Sequence, residues 1–133
     1  METSLILRIE GGGKHHEALV KKIGAAACSL HKAGDLFESE FPNLQGTTWP
    51  SDVIIITPQI GREANIPQLM DWICSKLQEN DALLEEIISE GGRIGVNSWC
   101  HSNQNVGDFK LSAEQMKSLS KYRISVFFRY IVH

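Results

Sequence analysis

The stretch from residue 65 to residue 99 constrains the fold of this chain more than any other. Its apolar residues recur every three to four positions, the spacing that places side chains on one face of an α-helix. They are Ile66, Leu69, Met70, Ile73, Leu77, Leu84, Ile87 and Ile88. The glycine pair 91–92 ends this pattern, and Ile94 and Val96 then alternate as they would in a β-strand. The stretch therefore predicts a long amphipathic helix that leads into a strand.

The limits of this helix are also marked in the sequence. Asn65 stands at the position of a helix cap, and Pro67 lies in the first turn, where its missing N–H costs nothing. Asn80 and Asp81 both favour helix caps over helix interiors. We therefore expect the helix to kink or to start anew near these two residues.

The rest of the chain predicts three further strands and two further helices. They are a strand at 4–10, a helix from about His15 to Leu30, a strand at 53–57, a helix at 113–121 that buries Met116 and Leu119, and a strand at 124–132. Ser112 and Gln115 form a capping box before the helix at 113–121. Because the last strand carries apolar residues on both faces, we expect it to lie centrally in the sheet. The polar and turn-forming residues of segments 31–52 and 100–108 predict loops.

The order of these elements is β-α-β-α-β-α-β, which predicts the α+β class. We expect a single domain over residues 1–133, with one mixed β-sheet of four to five strands and about three helices packed on it. The fifth strand would come from the long 31–52 segment, as an edge strand.

Composition and charge exclude several functional classes. Hydrophobic residues make up 42% of the chain and charged residues 22%, which is typical of a globular protein. The net charge of -3 comes without a cluster of Lys and Arg, so we expect no nucleic-acid partner. No apolar run approaches the roughly 20 residues of a membrane-spanning helix. The opening residues METSLILRIE lack the basic start and the long apolar core of a signal peptide, so we expect none there. The 3 widely spaced cysteines fit free thiols, and we expect a cytoplasmic protein without a membrane partner.

Two patterns could carry chemistry, and each has a simpler explanation. The run 11–14 joins a strand to a helix, as phosphate-binding loops do, but it lacks the spacing of a P-loop and favours a flexible turn. Cys100 and His101 could serve as a thiol nucleophile and its base on the predicted loop, although no spacing indicates an orienting third residue. No CxxC, HxxxH or HExxH spacing occurs. We therefore expect no metal, no cofactor and no enzymatic activity; the alternative is a small enzyme or ligand-binding domain that uses Cys100 and His101.

The outer face of the long helix is acidic. Its carboxylates are those of Glu79, Asp81, Glu85, Glu86 and Glu90. Such a face is usually the solvated side of a helix, and it could also dock a basic protein through electrostatic steering. Trp49, within the predicted loop, is either a core residue or an exposed interface anchor.

A series of short motifs runs through nearly the whole chain. They are the opening strand that ends in Gly11, Ile23-Gly24, Lys32-Ala33-Gly34-Asp35, Trp49, the amphipathic helix, Phe109-Lys110-Leu111-Ser112 and the closing aromatic strand to Tyr130. Together they resemble a family of small bacterial proteins that is catalogued as a domain of unknown function. The segment between Asp35 and Trp49 departs from the family pattern, because it is rich in Phe and Glu.

The resemblance implies a function. Members of that family occur among the immunity proteins of bacterial polymorphic toxin systems, including contact-dependent growth inhibition. The resemblance therefore implies a cytoplasmic protein that neutralises a cognate toxin by binding its C-terminal domain, and it carries over no catalytic residue. If the toxin is a nuclease with a basic substrate groove, the predicted contacts are either the acidic helix face or the acidic residues Asp35, Glu38 and Glu40. Trp49 is a further candidate for the toxin-binding surface, as an anchor.

Overall fold

The protein folds around one five-stranded β-sheet. A computed structural model describes residues 2–37, 46–61, 63–102 and 110–132. The strands and α-helices are β1 (Glu2–Glu10), α1 (His16–Ile23), β2 (Cys28–His31), β3 (Val53–Ile56), α2 (Ile66–Glu79), α3 (Asp81–Ser89), β4 (Arg93–Ser102), α4 (Ala113–Lys121) and β5 (Ser125–Val132). Two short 3-10 turns, Gly13–His15 and Ala25–Ala27, flank α1.

The sheet is mixed. Its strand order is β2-β3-β1-β4-β5, and all neighbouring strands are antiparallel except β4 and β5, which run parallel. The parallel pair follows from the connection through α4, since parallel strands need a crossover that returns the chain to the same end of the sheet. The predicted α+β class with one mixed sheet is confirmed.

The predicted limits of the long helix are confirmed as well. The side-chain oxygen of Asn65 accepts the N–H of Gln68 at 2.9 Å, and the side-chain oxygen of Gln68 accepts the N–H of Asn65 at 2.8 Å. The helix is interrupted at Asn80, whose buried side chain donates a hydrogen bond to the carbonyl of Lys76 at 2.8 Å. A second helix, α3, then begins at Asp81.

All four α-helices contribute to a core on one side of the sheet. Alternation along β1 places Leu5, Leu7 and Ile9 on that side, where they are at most 1% exposed. The buried helix residues in the same core are Leu19, Leu69, Met70, Ile73, Leu77, Leu84, Ile87 and Leu119. The domain therefore has two layers, and no helix within the described ranges covers the opposite side of the sheet.

The first helix is shorter than predicted. It ends at Ile23 because Gly24 adopts a φ of 113°, a conformation that a side-chain-bearing residue rarely takes. Residues 28–31 then form β2, which pairs with β3 at the edge of the sheet. The edge strand expected from segment 31–52 is thus supplied by the residues just before it. The prediction of a helix as far as Leu30 is wrong, because the apolar spacing of this short segment suits an edge strand equally well.

The last strand lies at the edge of the sheet and not at its centre, so that prediction is wrong. Val126 packs against the core, whereas Phe127 on the opposite side is 55% exposed. Apolar residues on both faces of β5 thus do not reflect burial on both faces. The prediction for Met116 is also wrong, because its side chain is 52% exposed on α4 while Leu119 is buried.

β4 extends further than predicted. It is paired with β1 on one side and with β5 on the other as far as His101, so Cys100 and His101 belong to a strand and not to a loop. The remainder of the predicted loop, residues 103–108, lies outside the described residues.

Candidate functional site

The side of the sheet opposite the helices carries charged and aromatic side chains. We call it the polar sheet face, and its residues are Ser4, Ile6, Arg8, Glu10, Arg93, Gly95, Asn97, Trp99, Ser125, Phe127 and Arg129. The strand register sets them in rows, so that Ile6, Asn97 and Phe127 stand side by side on β1, β4 and β5. Since each row is fixed by paired strands, the face presents its side chains from a rigid backbone.

A hollow of about 360 Å³ lies on the polar sheet face beside Gly95. Gly95 stands between Arg8 and Ser125 in the register and has no side chain to fill its row. At the rim, Nε of Arg8 lies 2.9 Å from Oε1 of Glu10, and Nη2 of Arg93 lies 3.5 Å from Oε2 of the same carboxylate. One carboxylate thus serves two guanidinium groups. Because the Arg93 side chain is 84% exposed, it can also bind a carboxylate of a partner.

Trp49 packs at one end of this face. It is 7% exposed, and its ring stacks on that of His31 with 4.3 Å between centroids; the ring of Phe37 follows at 4.9 Å. The guanidinium carbon of Arg8 lies 5.5 Å from the centroid of the Trp49 ring, within the range of a cation–π interaction. Of the two roles predicted for Trp49, this burial favours that of a core residue.

Two of the predicted acidic contacts lie near the end of α3 and pair with the turn before α1. Nζ of Lys14 lies 2.7 Å from Oε1 of Glu90, and Nε2 of His15 lies 3.3 Å from its Oε2. Nδ1 of His15 is 3.5 Å from a carboxylate oxygen of Glu86. The hydrogen bond from Lys14 holds the pKa of Glu90 below its usual value, and the same contact raises the pKa of Lys14.

Asp81 and Glu85, one turn apart on α3, pair instead with the end of α4. Nζ of Lys121 lies 2.7 Å from Oδ1 of Asp81 and 3.9 Å from Oε1 of Glu85. The hydroxyl of Tyr122, a residue that is 4% exposed, also donates a hydrogen bond to Asp81. Lys121 and then Tyr122 lower the pKa of Asp81, whereas burial and then the Asp81 carboxylate raise the pKa of Tyr122. The predicted acidic face is therefore two separate rows, each partly neutralised by a cation from another element.

The remaining predicted contact residues lie elsewhere. Glu79, at the end of α2, pairs with Lys76 at 3.3 Å. Asp35 is exposed in the turn after β2, and its carbonyl accepts the N–H of Trp49 at 2.9 Å, so these two predicted residues are neighbours. Two further residues, Glu38 and Glu40, lie outside the described residues.

The described residues offer little support for thiol chemistry. Burial raises the pKa of the Cys28 and Cys74 thiols, which is the opposite of what a reactive thiolate requires. Cys100 and His101 lie within a strand that is paired on both sides. Within the ranges that the structure describes, no three His, Cys, Asp or Glu side chains are grouped as metal ligands.

Sequence reasoning missed the polar sheet face. The alternation of Arg8 and Glu10 with the buried Leu7 and Ile9 marks one side of β1 as polar, and this signal was present in the sequence. The neighbours of β1 could not be read in the same way, because the register with β4 and β5 joins residues far apart in the chain.

Comparison with protein-family models, with curated proteins and with solved structures finds no match to this chain. Among the described residues, no helix combines the length and apolar character that crossing a membrane requires. The resemblance of the sequence motifs to the immunity-protein family thus stays a prediction.

Proposed function

We propose that this chain is a protein-binding domain that acts in the cytoplasm as an immunity protein, neutralising a cognate toxin by occupying the surface of its C-terminal domain. The polar sheet face is the observation that carries this proposal. It combines a rigid backbone, a hollow of about 360 Å³ and exposed arginine and aromatic side chains. The resemblance to immunity proteins supplies the class of partner.

The composition of the face favours protein recognition. Arginine and aromatic residues are over-represented among the side chains that contribute most to protein–protein binding. Arg93 and Arg129 are exposed at two ends of the face, and Phe127 is exposed between its flanking rows. A carboxylate of a partner that enters the hollow would accept a charge-assisted hydrogen bond from the guanidinium of Arg93.

The acidic rows of α3 are the competing surface. Glu90 and Asp81 already hold Lys14 and Lys121, so a basic partner would have to displace these cations or share the carboxylates with them. Glu85 and Glu86 make only the longer contacts of 3.9 Å and 3.5 Å and are the acidic residues best able to meet a partner. Charge reversal at these two residues therefore tests whether the partner binds to α3.

The enzymatic alternative has less support from the geometry. It requires Cys100 and His101 on a loop that can bring them together with a third group, and both residues lie in β4. Replacement of both by Ala tests it directly, because an enzyme would lose activity while a binding protein would keep its partner if these residues lie outside the interface.

The decisive experiment is co-expression with the C-terminal domain encoded by the gene immediately upstream. The proposal expects that this domain is toxic alone, that the present chain restores growth, and that the two proteins co-purify. Glu85→Lys with Glu86→Lys should preserve protection, whereas Arg93→Glu should weaken it. A chain that neither protects nor co-purifies would refute the proposal. Loss of protection only in the variant that carries Glu85→Lys and Glu86→Lys would place the interface on α3 instead.

A further inference from the structure

The outer edge of β5 has a composition that natural edge strands usually avoid. β5 is last in the strand order, so no described strand pairs with its outer side. Residues 125–132 contain none of the Pro, Gly, Lys, Asp or Glu residues that commonly protect a sheet edge from pairing with another chain. Their one charged residue is Arg129. A long apolar edge of this kind is a template for pairing with a further strand.

The opposite edge of the sheet differs. β2 has only 4 residues, and a short edge strand offers few groups for pairing. Two of its residues also engage each other, since Oγ of Ser29 lies 3.0 Å from Nε2 of His31. The sheet is therefore asymmetric, with one protected edge and one that is suited to pairing.

We propose that β5 pairs antiparallel with β5 of a second copy of this chain, so that two sheets join into one across a two-fold axis. An antiparallel pair of identical strands uses the same surface on both copies, as a closed symmetric dimer requires. The polar sheet face of one copy would then continue into that of the other.

The two-fold axis restricts the register. Residues directly opposite each other must lie on the same side of the joined sheet, so a residue can face only its own counterpart or one that is an even number of positions away. For the strand 125–132, the longest overlaps are centred on Phe128 or on Arg129. The second register sets two Arg129 side chains directly opposite each other, and like charges in that position destabilise a strand pair. The register centred on Phe128 remains.

This register makes the strand complementary to itself. Phe127 of each copy faces Arg129 of the other, and the contact occurs twice. Within one chain the guanidinium carbon of Arg129 already lies 5.5 Å from the centroid of the Phe127 ring, so the two side chains are on the same side of the sheet and compatible in chemistry. Pairing would also cover Phe127, which is 55% exposed. A second copy is therefore the occupant that the edge fits.

Light scattering coupled to size-exclusion chromatography of the purified chain tests the proposal without any toxin, so its outcome is independent of the proposed function. The wild type should elute with twice the monomer mass at micromolar concentration. Phe127→Lys should be monomeric because it faces Arg129 of the other copy, whereas Phe127→Glu should remain dimeric. The double variant Phe127→Lys with Arg129→Glu should restore the dimer. Leu36→Lys, at a residue that is 69% exposed in a loop, is the matched control and should remain dimeric.

Cysteine cross-linking tests the register by a separate readout. Oxidised Phe128→Cys should form a covalent dimer, because opposed residues of antiparallel strands are close enough for a disulfide. Val126→Cys should not, because this register separates the two counterparts by about 13 Å along the strands. A wild type that stays monomeric up to millimolar concentration would overturn the proposal. Equal cross-linking at both positions, or a double variant that stays monomeric, would do the same.

Discussion

Trp49 stacks on His31 with 4.3 Å between the ring centroids and 18° between the ring planes. The backbone fixes the same contact, because Trp49 donates its N–H to Asp35 and accepts the N–H of Gly34, both at 2.9 Å. The loop that follows β2 is thereby attached to the end of the polar sheet face. Trp49 is buried at this end of the face between His31 and Arg8, although the sequence alone allowed it to be an exposed anchor.

Trp49→Ala should lower the free energy of unfolding by about 3–5 kcal/mol, because it removes a large side chain from a buried position. Urea denaturation followed by far-UV circular dichroism measures this loss. Trp72→Ala is the comparison, because Trp72 is partly exposed on α2, where Nζ of Lys76 lies 5.3 Å from its ring centroid. The free energy of unfolding should decrease less in Trp72→Ala than in Trp49→Ala. A cost below about 1 kcal/mol for Trp49→Ala would contradict the core assignment.

The ion pair between Lys14 and Glu90 should make stability depend on pH. Since the pKa of Glu90 is lowered in the folded protein, its contribution is present above the usual glutamate pKa of about 4.3 and is lost as pH falls through the folded value. As pH falls below about 4.3, the free energy of unfolding of Glu90→Gln should therefore decrease less steeply than that of the wild type. Lys14→Met removes the partner and should give the same shallower dependence. Parallel stability curves for all three proteins would show that the contact does not form in solution.

Gly92 should tolerate no side chain. A Cβ atom there would come within 2.4 Å of Cγ2 of Ile87, 2.8 Å of the carbonyl oxygen of Ile87 and 3.0 Å of that of Glu10. Gly92→Ala should thus destabilise the fold by about 1–3 kcal/mol, as overpacking does. Gly61→Ala is the matched control, because no described atom lies within 4 Å of its Cβ position. Thermal unfolding should separate the two variants, and equal melting temperatures would contradict the close packing of α3 on β1.

The elements that the sequence predicted correctly depend on local signals. The cap at Asn65, the break at Asn80 and the capping box of Ser112 each involve residues within four positions of one another. Such contacts form within a single turn, so residue type and spacing are enough to predict them. The main error in a local element is the first helix, where Gly24 ends a pattern that a helix and an edge strand share.

The features that could not be predicted join distant parts of the chain. The edge position of β5 depends on its pairing with β4, and the separation of the acidic rows depends on Lys14 and Lys121, which come from different elements. The hollow beside Gly95 arises only because the register places that glycine between Arg8 and Ser125. A single strand shows which of its sides is polar, but only the assembled sheet shows what stands beside it.

The proposed binding of a toxin domain through the polar sheet face can be measured by one calorimetric titration. The purified domain encoded by the upstream gene is titrated into wild type, Arg93→Glu and Glu85→Lys, with circular dichroism to verify that each variant is folded. Arg93→Glu should raise the Kd at least about tenfold, a loss of about 1.4 kcal/mol of binding free energy, while Glu85→Lys should stay within about a factor of two of the wild-type Kd. Unchanged binding of Arg93→Glu together with weakened binding of Glu85→Lys would contradict an interface on the polar sheet face.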